Sequence, residues 1–341
     1  MPANLTPEYM AAQAAFRKAR DPRARLECLR EMLRVIPKHK GTDHLQGDIK
    51  RRIKELSEEL ERPKKSGAHG GPPLVIQPEG AAQIALLGPP NTGKSSLHAR
   101  LTGSGAKIAP YPFTTQYPEP GMMPYEDIHF QLVDLPPVSP EHPVSWLASA
   151  LQTADACLLV VDLGDPACVE RVEALHAVLR EKHVTLADRW QPEGEPARGP
   201  ADSDQDPFAL RLPAVLLANR ADLIAAVDTE LRAFLELTGL RYPAVAVSAT
   251  TGLGLGEIGP LLFCHLTIVR VYTKVPGRPP GRDRPFTLRG GRTVEDVARL
   301  VHRDLVSSLK YARVWSKSGL EGQHVGRDHP LADGDVVELH A

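Results

Sequence analysis

One nine-residue segment, GPPNTGKSS at 88–96, constrains the fold of this 341-residue chain more than any other feature. It follows the apolar run IALL and has the spacing G-x-x-x-x-G-K-S, set by Gly88, Gly93, Lys94 and Ser95. Glycines let a loop curl until successive backbone amides point at one anion, and the helix predicted to follow directs its N-terminus at the same anion. Lys94 would then face the β- and γ-phosphates of a nucleotide, and Ser95 would bind Mg²⁺. The segment therefore predicts a P-loop between a strand and a helix.

Strand-like and helix-like patterns alternate along the chain around and beyond this loop. Short apolar runs are candidate strands, and helical stretches separate most of them; the runs are residues 84–87, 128–133, 156–161, 214–218 and 244–247. Such alternation is typical of a wound α/β sheet with mainly parallel strands. We predict one domain of this kind over 75–268, with a disordered insertion at 188–207, where Pro, Gly and Asp replace the apolar periodicity.

The two ends of the chain differ from this centre. Residues 1–65 predict helices, because Thr6 and Asp21 are candidate N-caps followed by proline and because apolar residues then recur at steps of three and four. Residues 66–74 have the composition of a linker. Residues 269–341 predict a small α+β domain, with strand patterns at 271–275, 285–288, 311–316 and 336–340 and one helix at 293–305.

Charge is distributed unevenly, although the formal net charge is only −1. The net charge is +6 over residues 1–65, −11 over 66–267 and +4 over 268–341. Two basic ends around an acidic centre favour contact between those ends and a polyanion. Ordinary solvated surface charge is the alternative explanation.

The composition argues against a membrane or secreted protein. No stretch reaches the roughly 18 apolar residues of a membrane-spanning helix, and the N-terminus has no apolar signal region. The four cysteines are scattered and form no C-x-x-C motif, as is typical of reduced, mostly buried thiols. We therefore expect a cytoplasmic protein without a membrane partner.

Two motifs further along the predicted sheet indicate which base the nucleotide carries. NRAD, from Asn219 to Asp222, follows the strand pattern AVLLA, and a carboxylate there can accept hydrogen bonds from guanine N1–H and the 2-amino group, a donor pair that adenine lacks. AVAVSAT ends a strand at Ser248 and Ala249, where a backbone amide can meet guanine O6. Asp134 ends the strand pattern FQLVD and is placed for the Mg²⁺ shell. Together with the P-loop, this order predicts GTP or GDP as the ligand.

These motifs resemble the TRAFAC GTPases of the Obg/HflX-like superfamily, and within it the developmentally regulated GTP-binding (DRG) family. KHKGTDHLQGDIKRRIKEL resembles that family's N-terminal helical segment, and FTT followed by PG, within residues 111–121, resembles its switch I. IVRVYTKVPGRPP followed by LRGGRTVEDVARLVHRDL is similar to its junction with a C-terminal TGS domain, a β-grasp module. The resemblance covers most of the chain. It implies a P-loop GTPase domain, a TGS domain, and contact with RNA or ribosomes through the basic N-terminal helices and the TGS domain.

The resemblance also implies a role for each matching residue. Ser95 and Thr115 bind Mg²⁺, Thr115 also senses the γ-phosphate, and Asp134 supports the ion without direct coordination. Lys94, Thr115 and Asp134 form the catalytic set. Asn91 stands where potassium-responsive relatives carry Asn, which makes K⁺ a candidate second cation, and Arg220 stands where the family has Lys. The predicted nucleotide contacts are Gly88, Asn91, Thr92, Gly93, Lys94, Ser95, Ser96, Asn219, Arg220, Asp222, Ser248 and Ala249.

The chain departs from the family pattern in two places. The third motif, D-x-x-G, has Pro137 in place of glycine, and a proline has no N–H to donate to the γ-phosphate. One hydrogen bond to a charged group, about 1.5–3 kcal/mol, is therefore expected to be missing from the GTP-bound state. Val138, the next residue, cannot orient a water molecule. The family's inserted domain has no room here, because only about 80 residues separate Asp134 from Asn219 and the sheet needs most of them.

Three functions are compatible with these features. The leading hypothesis is a Mg²⁺-dependent GTPase, slowed by Pro137, that acts on RNA or ribosomes in translation. The alternative is a guanine-nucleotide-binding adaptor that does not hydrolyse GTP. A P-loop kinase or ATPase conflicts with the NRAD and SAT motifs.

Overall fold

The structure is a computed structural model that describes residues 6–19, 21–37, 42–61, 75–103, 117–188, 190, 209–275, 277, 285–289, 292–316, 319 and 321–340. The predicted linker at 66–74 lies outside the described residues, and so does nearly all of the predicted insertion at 188–207. No helix in the described part of the chain is both long enough and apolar enough to cross a membrane.

The described residues of the N-terminal region form three helices, α1 (Pro7–Lys18), α2 (Pro22–Val35) and α3 (Asp43–Glu61). Both predicted N-caps are present: the Thr6 side chain accepts from the Tyr9 amide at 3.2 Å, and that of Asp21 accepts from the Ala24 amide at 3.0 Å. The apolar faces of the three helices meet in one small core of Tyr9, Ala12, Phe16, Leu29, Met32, Ile36 and Ile49. Lys50 and Lys54 of α3 are exposed outside this core.

The central domain contains a seven-stranded sheet. Its strands are β1 (Ala82–Leu87), β2 (Glu119–Tyr125), β3 (Ile128–Asp134), β4 (Ala156–Asp162), β5 (Val184–Ala187), β6 (Leu210–Asn219) and β7 (Ala244–Ala246). The strand order is β2-β3-β1-β4-β6-β5, and β7 also pairs with β6. β1 pairs in parallel with β3 and β4, and β6 pairs in parallel with β4 and β7. The predicted wound, mainly parallel sheet is therefore confirmed.

Where the structure describes this domain, it contains the α-helices α4 (Lys94–Thr102), α5 (Leu147–Leu151), α6 (Cys168–Glu181), α7 (Val227–Thr238) and α8 (Leu255–His265). Leu97 of α4 and Leu262 of α8 are fully buried in one core cluster with Ile84 of β1 and Leu158 of β4. β1 and β4 are buried along their whole length, as expected of central parallel strands. The four cysteines are free thiols, but only Cys157 and Cys168 are buried, so the expectation of mostly buried thiols holds for half of them.

β2 and β5 have no counterpart among the predicted strands. β2 carries Pro120 and Pro124, and a proline argues against a strand in a single sequence because it cannot donate to a ladder. Among the strands that the structure describes, β2 pairs only with β3, in antiparallel orientation, and it lies at the edge of the sheet. Prolines are tolerated there because one side of an edge strand has no partner to bond.

The C-terminal domain is built on a five-stranded sheet of order β11-β10-β12-β8-β9. Its strands are β8 (Ile268–Thr273), β9 (Phe286–Arg289), β10 (Tyr311–Trp315), β11 (Glu321–Val325) and β12 (Asp335–His340), and its helices are α9 (Val294–Val301) and α10 (Arg303–Ser308). Thr293 and Asp296 form a capping box at the start of α9. The predicted single helix is divided at His302, and β11 was not predicted because EGQHV is polar and contains glycine. The predicted α+β class is confirmed.

Charged side chains join the β8–β9 half of this sheet to the central domain. Arg270 of β8 donates to Asp127, in the turn between β2 and β3, at 2.9 Å and to Asp333 at 2.7 Å, and hydrogen bonding to Asp333 raises its pKa. Tyr272 donates to Asp127, and Arg289 of β9 pairs with Asp155 at 2.8 Å. These contacts lie at the opposite side of the sheet from its edge strand β11.

Candidate nucleotide-binding site

The parallel strands of the central sheet end at one edge, and their last residues bring the predicted site together. The P-loop follows β1, Asp134 ends β3 and Asn219 ends β6. The carboxyl edge of a parallel sheet is where ligands of wound α/β proteins bind. The sequence motifs, separated by up to 160 or so residues, therefore meet in one place.

Two glycines of the P-loop occupy positions that admit no side chain. A Cβ on Gly88 would lie 2.3 Å from the carbonyl oxygen of Val160, and a Cβ on Gly93, whose φ is +82°, would lie 2.4 Å from Asn219 Nδ2. Asn91 also lies in the left-handed region, with φ of 63°, which asparagine tolerates better than most residues. The loop therefore curls tightly against β4 and the NRAD motif before α4 begins at Lys94.

Lys94 is buried inside the loop that it follows. Its Nζ donates to the carbonyl oxygens of Gly88 at 3.2 Å and Pro89 at 3.1 Å. Burial lowers the pKa of Lys94 to about 8, against the opposing effect of the Asp134 carboxylate. The P-loop thus contains a desolvated cation that is held by weak carbonyl partners, which an anion such as phosphate can replace.

Ser95 and Asp134 provide the oxygen atoms for a metal site. Ser95 Oγ donates to Asp134 Oδ2 at 2.6 Å, and Asp134 is buried at the end of β3. Mg²⁺ prefers hard oxygen ligands and is usually bound by one or two protein groups together with substrate phosphates and water, rather than by a cage of side chains. No cluster of three His, Cys, Asp or Glu residues occurs in the described parts of the chain. The pair therefore fits Mg²⁺ that arrives with a nucleotide.

Asn219 connects the P-loop to the loop that follows β7. Its Nδ2 donates to the Thr92 carbonyl oxygen at 2.9 Å, and its Oδ1 accepts from the Ala249 amide at 3.2 Å. The side chain is buried. Ser248 is also fully buried, and its hydroxyl accepts from the Thr251 amide at 3.0 Å, which shapes this loop. One amide side chain therefore holds the phosphate loop and the predicted base-binding loop together.

Arg220 and Asp222 lie on the short 3₁₀ turn after β6. Arg220 has a φ of 60°, and its guanidinium donates to Asp162 Oδ2 at 2.6 Å. Asp222 is exposed, so its carboxylate is accessible to a base. The sequence reasoning did not include Asp162, which ends β4 and pairs in register with Asn219. Its position, as the last residue of the buried run ACLLVVD, was the signal that could have identified it.

The segment from Leu135 to Val138 closes the site from the other side. The Leu135 amide donates to the Leu86 carbonyl oxygen at 3.4 Å, and the Val138 amide donates to the Gly88 carbonyl oxygen at 3.2 Å. Pro136 and Pro137 have no N–H. The Val138 side chain is buried, at 2% exposure. Within this described segment, every backbone N–H is therefore either absent or already bonded to the P-loop strand.

Thr115, the predicted Mg²⁺ and γ-phosphate ligand, lies outside the described residues, as does the rest of 104–116. The other predicted site residues are described. Gly88, Thr92, Gly93, Lys94, Ser95 and Asp134 meet at the P-loop, and Asn219 joins them to Ala249. Asp222 makes no contact with them through its own side chain that the structure records.

Comparisons with known proteins agree with this arrangement. The sequence profile of a family described as 50S ribosome-binding GTPase matches residues 83–188, and that of the TGS domain matches residues 269–341. Developmentally-regulated G-protein 2 of Arabidopsis thaliana is 28% identical over 360 residues, which span 91% of this chain and 88% of that protein. An uncharacterized GTP-binding protein of Methanocaldococcus jannaschii is 27% identical over 361 residues, spanning 91% of this chain and 90% of the other.

Solved structures show the same fold. The YchF GTPase of Schizosaccharomyces pombe superimposes with a TM-score of 0.55 at 14% identity, over 78% of this chain and all of that one. A GTP-binding protein from Pyrococcus horikoshii gives a TM-score of 0.50 at 18% identity, over 76% of this chain and 99% of that one.

The fold, the P-loop and the two domain matches define a P-loop GTP-binding protein that carries a C-terminal TGS domain. Within this class the resemblance that the motifs indicate is confirmed, because the chain is similar over about 90% of its length to developmentally regulated GTP-binding proteins.

Proposed function

We propose that this protein is a slow, Mg²⁺-dependent GTPase that acts on RNA or ribosomes in the cytoplasm. The observation that carries the catalytic part is the arrangement of Lys94, Ser95 and Asp134 around one P-loop. Lys94 would face the β- and γ-phosphate oxygens, where it replaces its two carbonyl partners with a stronger, charged one. Mg²⁺, held by Ser95 and Thr115 with Asp134 behind it, would neutralise charge on the same oxygens.

Guanine would be recognised on the opposite side of the P-loop. The carboxylate of Asp222, which is exposed, would accept from the two guanine donors. The Ala249 amide donates to Asn219 at the long distance of 3.2 Å, and it would donate to the base carbonyl when a nucleotide is bound. Asn219 would hold both loops in place for the nucleotide.

The segment from Leu135 to Val138 supports the proposal of slow hydrolysis. Catalysis of phosphoryl transfer depends on donors that are positioned around the γ-phosphate and on a residue that orients water. This segment offers neither, because its amides are absent or bonded to Leu86 and Gly88 and because Val138 is buried. The same observation favours a second candidate, an adaptor that binds guanine nucleotides without hydrolysing them.

Single-turnover hydrolysis of radiolabelled GTP distinguishes these two candidates. We expect a slow release of phosphate that requires Mg²⁺ and disappears in Lys94→Ala. Arg232→Ala, a change on the exposed surface of α7, serves as the control and should hydrolyse at the parental rate. Release of phosphate no faster than in buffer would contradict the GTPase and leave the adaptor.

K⁺ is proposed as a second cation through Asn91, whose backbone turns the P-loop and whose side-chain oxygen could contribute to a cation beside the phosphates. The expected result is faster hydrolysis in KCl than in NaCl at the same ionic strength. Equal rates in the two salts would remove K⁺ from the mechanism.

Contact with RNA or ribosomes is supported by the charge of the two ends and by the match to a family described as 50S ribosome-binding GTPase. Phosphate contacts made by Lys and Arg weaken steeply with salt. We expect the double change Lys50→Glu and Lys54→Glu on α3 to reduce co-sedimentation with ribosomes and to reduce its salt dependence.

Arg232→Glu with Arg241→Glu, two exposed positions of the acidic central domain, is the matched control and should leave sedimentation unchanged. Equal losses of sedimentation in the two double variants would contradict a specific role for Lys50 and Lys54 of α3.

A further inference from the structure

One face of the TGS sheet packs on the core of its own domain, and the opposite face takes no part in the nucleotide site. Side chains alternate along β10, so that Ala312 and Val314 point into the domain core while Tyr311, Arg313 and Trp315 point away from it. Their neighbours on the adjacent strands β12 and β11 extend the same surface, which we call the β10 face; its members are Tyr311, Arg313, Trp315, His324, Glu338 and His340.

Three rings are stacked across this face. Tyr311 lies between His324 and His340, with ring centroids 4.4 and 4.5 Å apart and ring planes within 15° and 12° of parallel. The stack crosses from His340 on β12 through Tyr311 on β10 to His324 on β11. It ends at His324 because β11 is the edge strand of the described sheet. His324 is exposed, so the outer side of its ring is open to another flat ring.

Cations lie beside the three stacked rings, and Glu338, the buried acid of the β10 face, already has partners. Arg313 Nε donates to His324 Nε2 at 3.0 Å, and Lys274 Nζ lies 4.0 Å from the centre of the Trp315 ring. Glu338 is buried, and it pairs with Lys274 at 3.4 Å and with His340 at 2.7 Å. Glu321, opposite Trp315 on β11, is the exposed acid of this surface.

Cross-strand ring pairs also stabilise sheets, by roughly 0.2–1 kcal/mol each, and this effect alone would explain a pair in the interior of a sheet. It does not explain why the stack ends in an exposed ring at the sheet edge with Arg313 beside it. Open rings next to cations are the chemistry by which proteins hold unpaired nucleotides: the bases stack on the rings and the phosphates face the cations.

We propose that the β10 face binds unpaired nucleotides of an RNA strand, with one base stacked on the open side of His324. The base continues the stack begun by Tyr311, and Arg313 faces the adjacent phosphate. This inference rests on the proposed action on RNA and adds to it the form of the ligand. Bases of a duplex are stacked on their own neighbours and cannot enter the stack, so double-stranded RNA is excluded from this face.

The test uses the full-length protein, a fluorescently labelled 12-nucleotide oligouridylate and a labelled RNA duplex of the same length. Anisotropy should show tighter binding of the single strand. His324→Ala should weaken single-strand binding about fivefold or more, the lower end of the contribution of one stacked base, and should leave duplex binding unchanged. His324→Phe keeps a flat ring and should retain parental affinity.

Gln323→Ala, one position away on the other side of β11, is the matched control and should bind like the parent. A thermal melt and a GTP-analogue titration of each variant check that the fold is intact; both should be parental. Arg313→Ala should weaken binding and reduce its salt dependence, whereas His324→Ala should leave the salt dependence intact.

Other outcomes separate failure of this inference from failure of the proposed function. If both RNAs bind and His324→Ala leaves both affinities unchanged or reduces them equally, the stacking site is overturned. The proposed action on RNA would still stand. Absence of binding to either RNA and to ribosomes would overturn both. Loss of ribosome sedimentation in His324→Ala with parental binding of the oligouridylate would assign the β10 face to a protein partner instead.

Discussion

Two regions face the same P-loop, and they differ in what they offer a nucleotide. The base side is braced by Asn219, whose amide bonds to Thr92 and Ala249 and leaves Asp222 exposed for the base. The γ-phosphate side, Leu135 to Val138, has two prolines and two amides that are bonded to Leu86 and Gly88. We propose that the first region binds guanine, whereas the described segment from Leu135 to Val138 has no backbone N–H left for the γ-phosphate, the group that distinguishes GTP from GDP. We expect strong binding of guanine nucleotides with weak discrimination between them.

The P-loop serves both regions, so its changes should have the largest effect. Lys94→Ala removes the buried cation and Ser95→Asn disturbs the Mg²⁺ ligand, and each should abolish tight binding of a fluorescent GTP analogue, with losses of more than about 100-fold, as expected when charge-assisted hydrogen bonds to phosphate are lost. Arg232→Ala should titrate like the parent. Parental affinity in both P-loop variants would rule out the site.

Asn219→Ala isolates the base side. It removes two hydrogen bonds from a buried position and leaves the Thr92 carbonyl and the Ala249 amide without that partner, so we expect GTP-analogue and GDP affinities to fall together by about 10- to 100-fold. Calorimetric titration with both nucleotides measures this. A loss confined to the GTP analogue would show that Asn219 acts on the γ-phosphate side, and it would contradict the difference between the two regions.

Asp222→Asn tests the recognition of the base. The variant should lose about tenfold or more in GTP affinity, because an amide offers a donor where guanine also has donors, and it should gain affinity for xanthosine triphosphate, whose additional carbonyl can accept. Competition against a labelled GTP analogue gives both numbers. If ATP competes with GTP on equal terms in the parent protein, Asp222 does not select the base.

The smallest change concerns Arg220, which pairs with Asp162 beside the base side. Arg220→Lys keeps the positive charge, and a lysine can still reach the carboxylate, though without the planar fork of arginine. We expect GTP and GDP affinities within about threefold of the parental values, since Arg220 is exposed and lysine keeps the positive charge opposite the buried Asp162. A larger effect on both nucleotides would show that the guanidinium itself contacts the base.

The sequence was sufficient to predict features that depend on neighbouring residues. The positions of Gly88 and Gly93 follow from loop spacing, and the caps of α1 and α2 follow from Thr6 and Asp21. The wound sheet follows from the alternation of apolar runs. The caps and the loop glycines depend on patterns within about ten residues, and the class of the sheet depends on how such short patterns alternate along the chain.

Features that depend on distant contacts were not predictable. The bond from the Val138 amide to the Gly88 carbonyl joins residues that are far apart in sequence and carries no motif. The run ACLLVVD marks Asp162 as the end of a strand, but its place beside Asn219 depends on the pairing of β4 with β6, which no local pattern gives. β2 was hidden by its prolines and β11 by its polar residues, because both are edge strands whose sequences lack a fully buried face.

The central claim concerns Pro137, and one measurement tests it most directly: calorimetric titration of the parent and of Pro137→Gly with GDP and with a non-hydrolysable GTP analogue. The hydrogen bond from the Val138 amide to Gly88 keeps residue 137 beside the P-loop. Glycine at position 137 would therefore supply an N–H close to the phosphates, which proline lacks. We predict that affinity for the GTP analogue rises by up to about tenfold, the size of one charge-assisted hydrogen bond less the cost of ordering the loop, while GDP affinity barely changes. An unchanged ratio of the two affinities would contradict the claim, because it would show that this segment does not contact the γ-phosphate.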